Sequence, residues 1–303
     1  MFEGVNVVLT TPFKPDGALD EEALKRKVEY LIGGGIRGSN GVLVPTGSTG
    51  ECHNLNLEEF KRVWDIVVDV SQGRAKVVVG TNRTSTSEVV ELSMYAQKIG
   101  ADGVMNLAPY YWQPGEKAIV NHYRILNEEV DLPIMVYNNM YVNKVDLPVE
   151  ILDEVTKFEN IKAIKDCTPL LEKMERTIRT IEADVEVING RGELNEPYGY
   201  LMGAKGYVSI IANYDPDLTV ELHEMALEEE YKKFVDVKSK KIMPVLDFIS
   251  TLPPSQEAVA IKYIEYLLGL SENYTVRTPF VSLSDGEKDD LFHILVEAGY
   301  KLE

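Results

Sequence analysis

Eight times before residue 230, a short apolar run is followed by a longer stretch with helical spacing, and few folds accept that beat. The runs cover residues 5–9, 41–44, 76–80, 103–107, 134–137, 161–165, 185–189 and 207–211. Between and after them, apolar residues return every three or four positions over 21–32, 57–70, 87–99, 116–129, 149–157, 170–181, 193–202 and 218–229. Helix-start signals agree: Asp20 before the first, Ser85 with Glu88 three residues on, and Pro148 before the fifth. Gly33 to Gly35 and Gly100 stand where left-handed caps are expected. A strand followed each time by a helix requires parallel strands joined by crossovers. Unbroken apolar strands such as Lys76-Val77-Val78-Val79 require a sheet covered on both faces. The fold class expected is α/β, a closed (β/α)8 TIM barrel over residues 1–230. Residues 231–303 are helical in pattern, at 231–248, 255–268 and 285–298. With no linker or low-complexity tract before them, they are expected to pack on the barrel as three additional C-terminal helices of one structural unit.

Composition removes several classes of function. A formal net charge of −18 argues against non-specific nucleic-acid binding, which needs Lys and Arg at the phosphates, and against an anionic membrane surface. No run of about 18 apolar residues marks a transmembrane helix. The opening Met1-Phe2-Glu3-Gly4 lacks a signal peptide's basic and apolar parts. The glycosylation patterns at Asn82 and Asn273 then read as chance. Cys52 and Cys167 are the only cysteines, which fits a reducing compartment, and the expected location is cytoplasmic.

In barrels of this kind the chemistry sits at the C-terminal ends of the strands. Those ends carry Pro45-Thr46-Gly47-Ser48-Thr49-Gly50-Glu51 after the second strand, Tyr137 on the fifth, Lys165 on the sixth and Asn189-Gly190 on the seventh. Side chains alternate along a strand, so Ile161, Ala163 and Lys165 are expected on one face. If that face is the interior, Lys165 is an amine in an apolar place. Free lysine is a neutral nucleophile in only roughly one molecule in 2,500 at neutral pH, and desolvation raises that fraction. The plain alternative for Lys165 is a snorkelling side chain or an ion pair with Asp166. The Gly47–Gly50 turn offers consecutive N–H groups and two hydroxyls to a small carboxylate, or is an ordinary loop. Tyr137 is either a proton shuttle beside the amine or core packing.

Other constellations fail. Gly33-Gly34-Gly35-Ile36-Arg37-Gly38 has the dinucleotide-binding spacing but follows a helix, where it must join a strand to one. His53, His122, His223 and His293 are scattered, and no set has metal-ligand spacing. No metal site is expected.

The combination of Gly47-Ser48-Thr49-Gly50-Glu51, Pro109-Tyr110-Tyr111, Tyr137-Asn138 and Lys165 ending strand six resembles the dihydrodipicolinate synthase and N-acetylneuraminate lyase superfamily, the class I Schiff-base pyruvate aldolases. The resemblance runs over nearly the whole chain. It implies a homo-oligomer built as a dimer of dimers, a small-molecule 2-keto acid substrate, and no cofactor beyond a covalent imine with Lys165. It implies that Ser48 and Thr49 hold the keto acid's carboxylate, that Tyr137 transfers protons, and that Tyr111 reaches the neighbouring subunit's relay. Gly190 and Val208 would line the pocket with backbone carbonyls. Dihydrodipicolinate synthases proper are expected to carry an arginine shortly after the strand-five tyrosine, and Asn138-Asn139-Met140-Tyr141-Val142-Asn143-Lys144 has none. That departure makes Asn139, Arg191 and Glu193 the candidates for reading the distal part of the substrate. The expected activity is cleavage, condensation or dehydration of a 2-keto-3-deoxy acid type substrate. The alternatives are dihydrodipicolinate (4-hydroxy-tetrahydrodipicolinate) synthesis and a barrel that binds a keto acid without turnover.

Overall fold

Parallel strands leave two unpaired edges unless the sheet closes on itself, and closure is what this chain achieves. A computed structural model of the protein describes residues 1–253 and 256–302. The strands are β1 (Gly4–Val8), β2 (Gly41–Val44), β3 (Lys76–Gly80), β4 (Gly103–Leu107), β5 (Ile134–Asn138), β6 (Ile161–Asp166), β7 (Glu186–Asn189) and β8 (Gly206–Ser209). They form a closed barrel in chain order, every neighbour parallel, with β8 pairing back onto β1. Around it run α1 (Glu21–Gly33), α2 (Leu57–Ser71), α3 (Thr86–Ile99), α4 (Glu116–Glu129), the one-turn α5 (Met140–Asn143), α6 (Val149–Thr156), α7 (Leu171–Thr180), α8 (Tyr198–Met202) and α9 (Pro216–Leu227). The (β/α)8 reading of the sequence holds.

Alternation divides the strand side chains into two layers. Val8, Val44, Val78, Met105, Met135, Tyr137, Ala163, Ile188 and Val208 fill the interior. Val7, Leu43, Val79, Val104, Val136, Ile164 and Tyr207 face the helices. Ile161 departs from expectation, because it packs in the outer layer while Ala163 lies inside. The register explains it: Ile134 pairs with Ile161 but Met135 with Ala163, so one step on β5 spans two on β6 and the bulge turns Ile161 outward.

Asp20 caps α1 by accepting from the Ala23 N–H, and Gly100 ends α3 in the left-handed region, both as the sequence suggests. Gly33 closes α1 itself, and of Gly34 and Gly35 after it Gly35 is the left-handed one. Ser85 is corrected: it stands at the cap of α3 without capping it, because its hydroxyl bonds Ser87 at 2.8 Å. The helix expected over 193–202 is also corrected. It is a 3-10 turn (Gly192–Leu194) and the short α8, separated by Pro197, which supplies no N–H and disfavours helical geometry in the residue before it.

The tail forms α10 (Tyr231–Val237), α11 (Met243–Thr251), α12 (Glu257–Leu267) and α13 (Asp285–Glu297). The helix expected over 231–248 is interrupted by a π turn at Lys238–Ile242, just before Pro244. Expected endpoints at 255 and 303 lie outside the described residues. The tail helices share a second core with α9 through Leu218, Leu222, Phe234, Val245, Ile261 and Leu291. Among the described residues no helix is long and apolar enough to cross a membrane.

Candidate active site

The mouth of the barrel is built around β5 and β6. Tyr137 and Lys165 are register partners, which fixes their proximity through the backbone ladder. The Lys165 Nζ lies 4.0 Å from the centre of the Tyr137 ring, a cation–π distance. Both side chains are buried. The ion pair with Asp166 is not formed, because Asp166 faces the other way and accepts from Asn138 Nδ2 and the Thr168 N–H, each at 3.0 Å. Lys165 does not snorkel either, being 4% exposed. Burial therefore pulls its amine below the usual lysine range, opposed by electrostatic interaction with Cys167, Glu257 and Cys52. Burial also raises Tyr137 well above the usual phenol value, partly offset by hydrogen bonds from Asn139 and Ser48. Asn139 Nδ2 donates to the Tyr137 hydroxyl at 2.6 Å, while its own Oδ1 caps α5 through the Tyr141 N–H. Asn139 thus holds the tyrosine.

The turn after β2 brings Ser48 and Thr49 to the same mouth. Thr46 and Glu51 bracket it with positive φ of 56° and 53°, unusual for residues with side chains. Thr46 is held there by bonds to Gly80 O at 2.9 Å and from Trp64 Nε1 at 2.7 Å. Of the four N–H groups of Gly47–Gly50, that of Gly50 is used within the turn, on Gly47 O, and the Glu51 N–H closes the turn on Ser48 O.

Opposite lies the end of β7. The Gly190 N–H donates to Asp166 O at 2.7 Å and its carbonyl accepts from Cys167 Sγ at 3.2 Å. A Cβ on Gly190 would stand 2.4 Å from that sulfur, so glycine is required. Val208 faces the interior with Tyr137 and Cys167. Arg191 sits over the Tyr141 ring at 5.2 Å, and its Nε is buried with no hydrogen-bond partner among the described residues. Glu193 is placed apart from this group: it is buried and bonded to Ser209, and burial pushes its carboxyl up to about 7. Tyr111 does not reach its own chain's site. It and Trp112 are 80% and 82% exposed, while Tyr110 packs on the interior cluster.

Sequence reasoning missed the contribution of the tail. Helix α12 lies against the mouth, held by Lys262 on Glu51 and by Glu265, which takes Lys27 Nζ at 2.5 Å and Thr10 Oγ1 at 2.9 Å. It thereby sets Glu257 beside Thr49, whose Oγ1 donates to Glu257 Oε1 at 3.5 Å. Glu257 follows the undescribed residues and carries no sequence signal. Lys262 does carry one, a cation at the end of the apolar run Ala258-Val259-Ala260-Ile261, the same kind of signal that picked out Lys165. The Lys262–Glu51 pair is buried on both sides, so removing one partner leaves an uncompensated charge. Lys262→Met is expected to cost about 3–5 kcal/mol in denaturant unfolding, and adding Glu51→Gln should recover part of it. A loss below about 1 kcal/mol would show that the pair does not pin the helix.

Among the described residues no cluster of three or more His, Cys, Asp or Glu is arranged for a metal ion, and Cys52 and Cys167 are unbridged. The profile of the dihydrodipicolinate synthetase family matches residues 1–298. The 4-hydroxy-tetrahydrodipicolinate synthase of Methanothrix thermoacetophila is 34% identical over 300 residues, covering 98% of this chain and 97% of the relative. That of Methanocaldococcus jannaschii is 33% identical over 304 residues, covering 99% of each. Dihydrodipicolinate synthase from Aquifex aeolicus superposes with a TM-score of 0.91 at 28% identity over the whole of both chains. The chloride-inhibited enzyme from Acinetobacter baumannii, complexed with pyruvate, gives 0.90 at 27% identity over 99% of each.

Proposed function

Because the chain belongs to the dihydrodipicolinate synthetase family, whose members are class I pyruvate-dependent aldolase-type lyases, we propose that it is a 4-hydroxy-tetrahydrodipicolinate synthase that joins pyruvate, held as an imine on Lys165, to aspartate semialdehyde. The observation that carries this reading is the buried Lys165 amine set over Tyr137 and unpaired with Asp166. The neutral amine attacks the ketone carbon, the oxygen takes up protons, and water leaves. The resulting iminium draws electrons from the adjacent methyl carbon, which loses a proton and adds to the aldehyde. Ser48 and Thr49 receive the keto acid's carboxylate, and Tyr137 relays the protons. No metal or organic cofactor enters the scheme.

Arg191 supports the aldehyde assignment as a guanidinium 5.2 Å over the Tyr141 ring, with a buried Nε that has no partner among the described residues and can donate to a second carboxylate. The exposed Tyr111–Trp112 pair suits a homo-oligomer in which this loop meets a second copy. The relatives' names favour condensation over the keto-deoxy acid reading. One observation favours the latter: the segment Asn139-Met140-Tyr141-Val142-Asn143-Lys144 directly after β5 holds no arginine. The deciding experiment follows pyruvate consumption with aspartate semialdehyde, and with a panel of other aldehydes and 2-keto-3-deoxy acids. Condensation with aspartate semialdehyde is expected to be fastest. Faster cleavage or water loss from a keto-deoxy acid would install the second reading. An absence of both turnover and adduct would leave only a keto-acid-binding barrel.

A further inference from the structure

A buried ammonium needs an anion nearby, and Asp166 is turned away from Lys165. The Tyr137 ring lies against the amine, and the other titratable groups acting on it electrostatically are Cys167 from the end of β6, Glu257 from α12 and Cys52 from the turn after β2. Burial pushes both thiols up to about 11, so they are neutral at neutral pH, and the tyrosine is higher still. That leaves Glu257 as the group able to carry negative charge. Its carboxyl also occupies Thr49, where the proposed function places the substrate's carboxylate.

We infer that Glu257 is the resident counter-ion of the Lys165 site, holding on Thr49 the place that the substrate's carboxylate takes over when the imine forms. The inference rests on the proposed keto-acid reading. Two carboxylates cannot share one hydroxyl in an enclosed place without large repulsion. Incoming substrate therefore drives Glu257 to its neutral form. The proton comes from the Lys165 ammonium, so the ammonium and carboxylate become an amine and a carboxylic acid, and the freed lone pair forms the C–N bond. Burial already holds the Glu257 carboxyl above the usual range, which makes that transfer accessible. Anion binding and nucleophile activation become one event.

The test follows borohydride-trapped imine formation with pyruvate across pH. Imine formation requires the neutral amine, and the Glu257 charge favours the protonated one. Glu257→Gln is therefore expected to move the acid limb of the rate to lower pH by about one unit, a tenfold gain at a fixed acidic pH. It is also expected to lower KM for pyruvate several-fold, because the competitor for Thr49 is gone, while Glu257→Asp returns the limb toward the wild type. A purely structural role would reduce kcat or stability and leave the limb in place. The wild type supplies an independent reading: affinity for pyruvate relative to neutral pyruvamide should fall as pH rises through the Glu257 ionisation. An unmoved limb and KM in a folded Gln variant, or a pH-independent affinity ratio, overturns the inference alone. No wild-type adduct at all would bring down the proposed function and this inference with it.

Discussion

Lys165→Ala is expected to abolish the borohydride-trapped pyruvate adduct and to lower kcat/KM by on the order of 10³–10⁶-fold, the range found when a covalent nucleophile is removed. The fold should survive. The side chain lies among interior residues such as Ala163, Cys167 and Ile188 and makes no ion pair with Asp166, and the Glu257 carboxyl, already raised by burial, takes up a proton once its counter-ion is gone. Mass analysis of the peptide carrying residue 165 reads the result directly, and an Ala variant that still gains pyruvate's mass would move the nucleophile elsewhere. The pH dependence follows from the same burial. Attack needs the neutral amine, and the folded chain holds that pKa below the usual lysine value. Imine formation should thus persist at pH values where a solvated lysine is almost wholly protonated, and fall only as pH drops through the lowered pKa.

Tyr137→Phe separates packing from chemistry. The phenyl ring keeps its cation–π contact and its place in the interior, so Lys165 stays where it is. The hydroxyl is lost, and with it the acceptor for Asn139 Nδ2. Proton transfer by a positioned group contributes about 10²–10⁴-fold, and turnover should fall by that amount while carboxylate binding is largely retained. The phenol is raised well above its ordinary value, so it stays neutral through the working range and relays protons as a hydroxyl. The loss should accordingly be uniform with pH. Turnover equal to the wild type would remove Tyr137 from the relay.

Periodicity made the barrel legible, because each strand and helix is long enough to show its own repeat and because a βα alternation leaves few topologies open. It also placed Ser48, Thr49, Tyr137 and Lys165 at one mouth, since strand ends converge whatever the side-chain detail. What it could not show depends on contacts between distant segments. The bulge that turns Ile161 outward lives in the pairing of two strands. The direction of Asp166 depends on Asn138, and it decides whether Lys165 is an ion-pair partner or a nucleophile. The place of Glu257 depends on Glu51, Lys27 and Thr10 gripping a helix more than 200 residues later in the chain. Short polar side chains at a helix start look alike in sequence, and only the partners distinguish a solvated glutamate from one inside the site.

The grip of α12 also orders the protein's synthesis. Its residues follow all eight strands in the chain, so they leave the ribosome after the whole barrel has been made. Until then the Ser48–Thr49 turn has neither the Lys262 anchor nor the Glu257 carboxyl. These groups therefore join the mouth only after β8 and α9 have been made. A product truncated before α12 would hold Lys165 and Thr49 without the Glu257 carboxyl beside them.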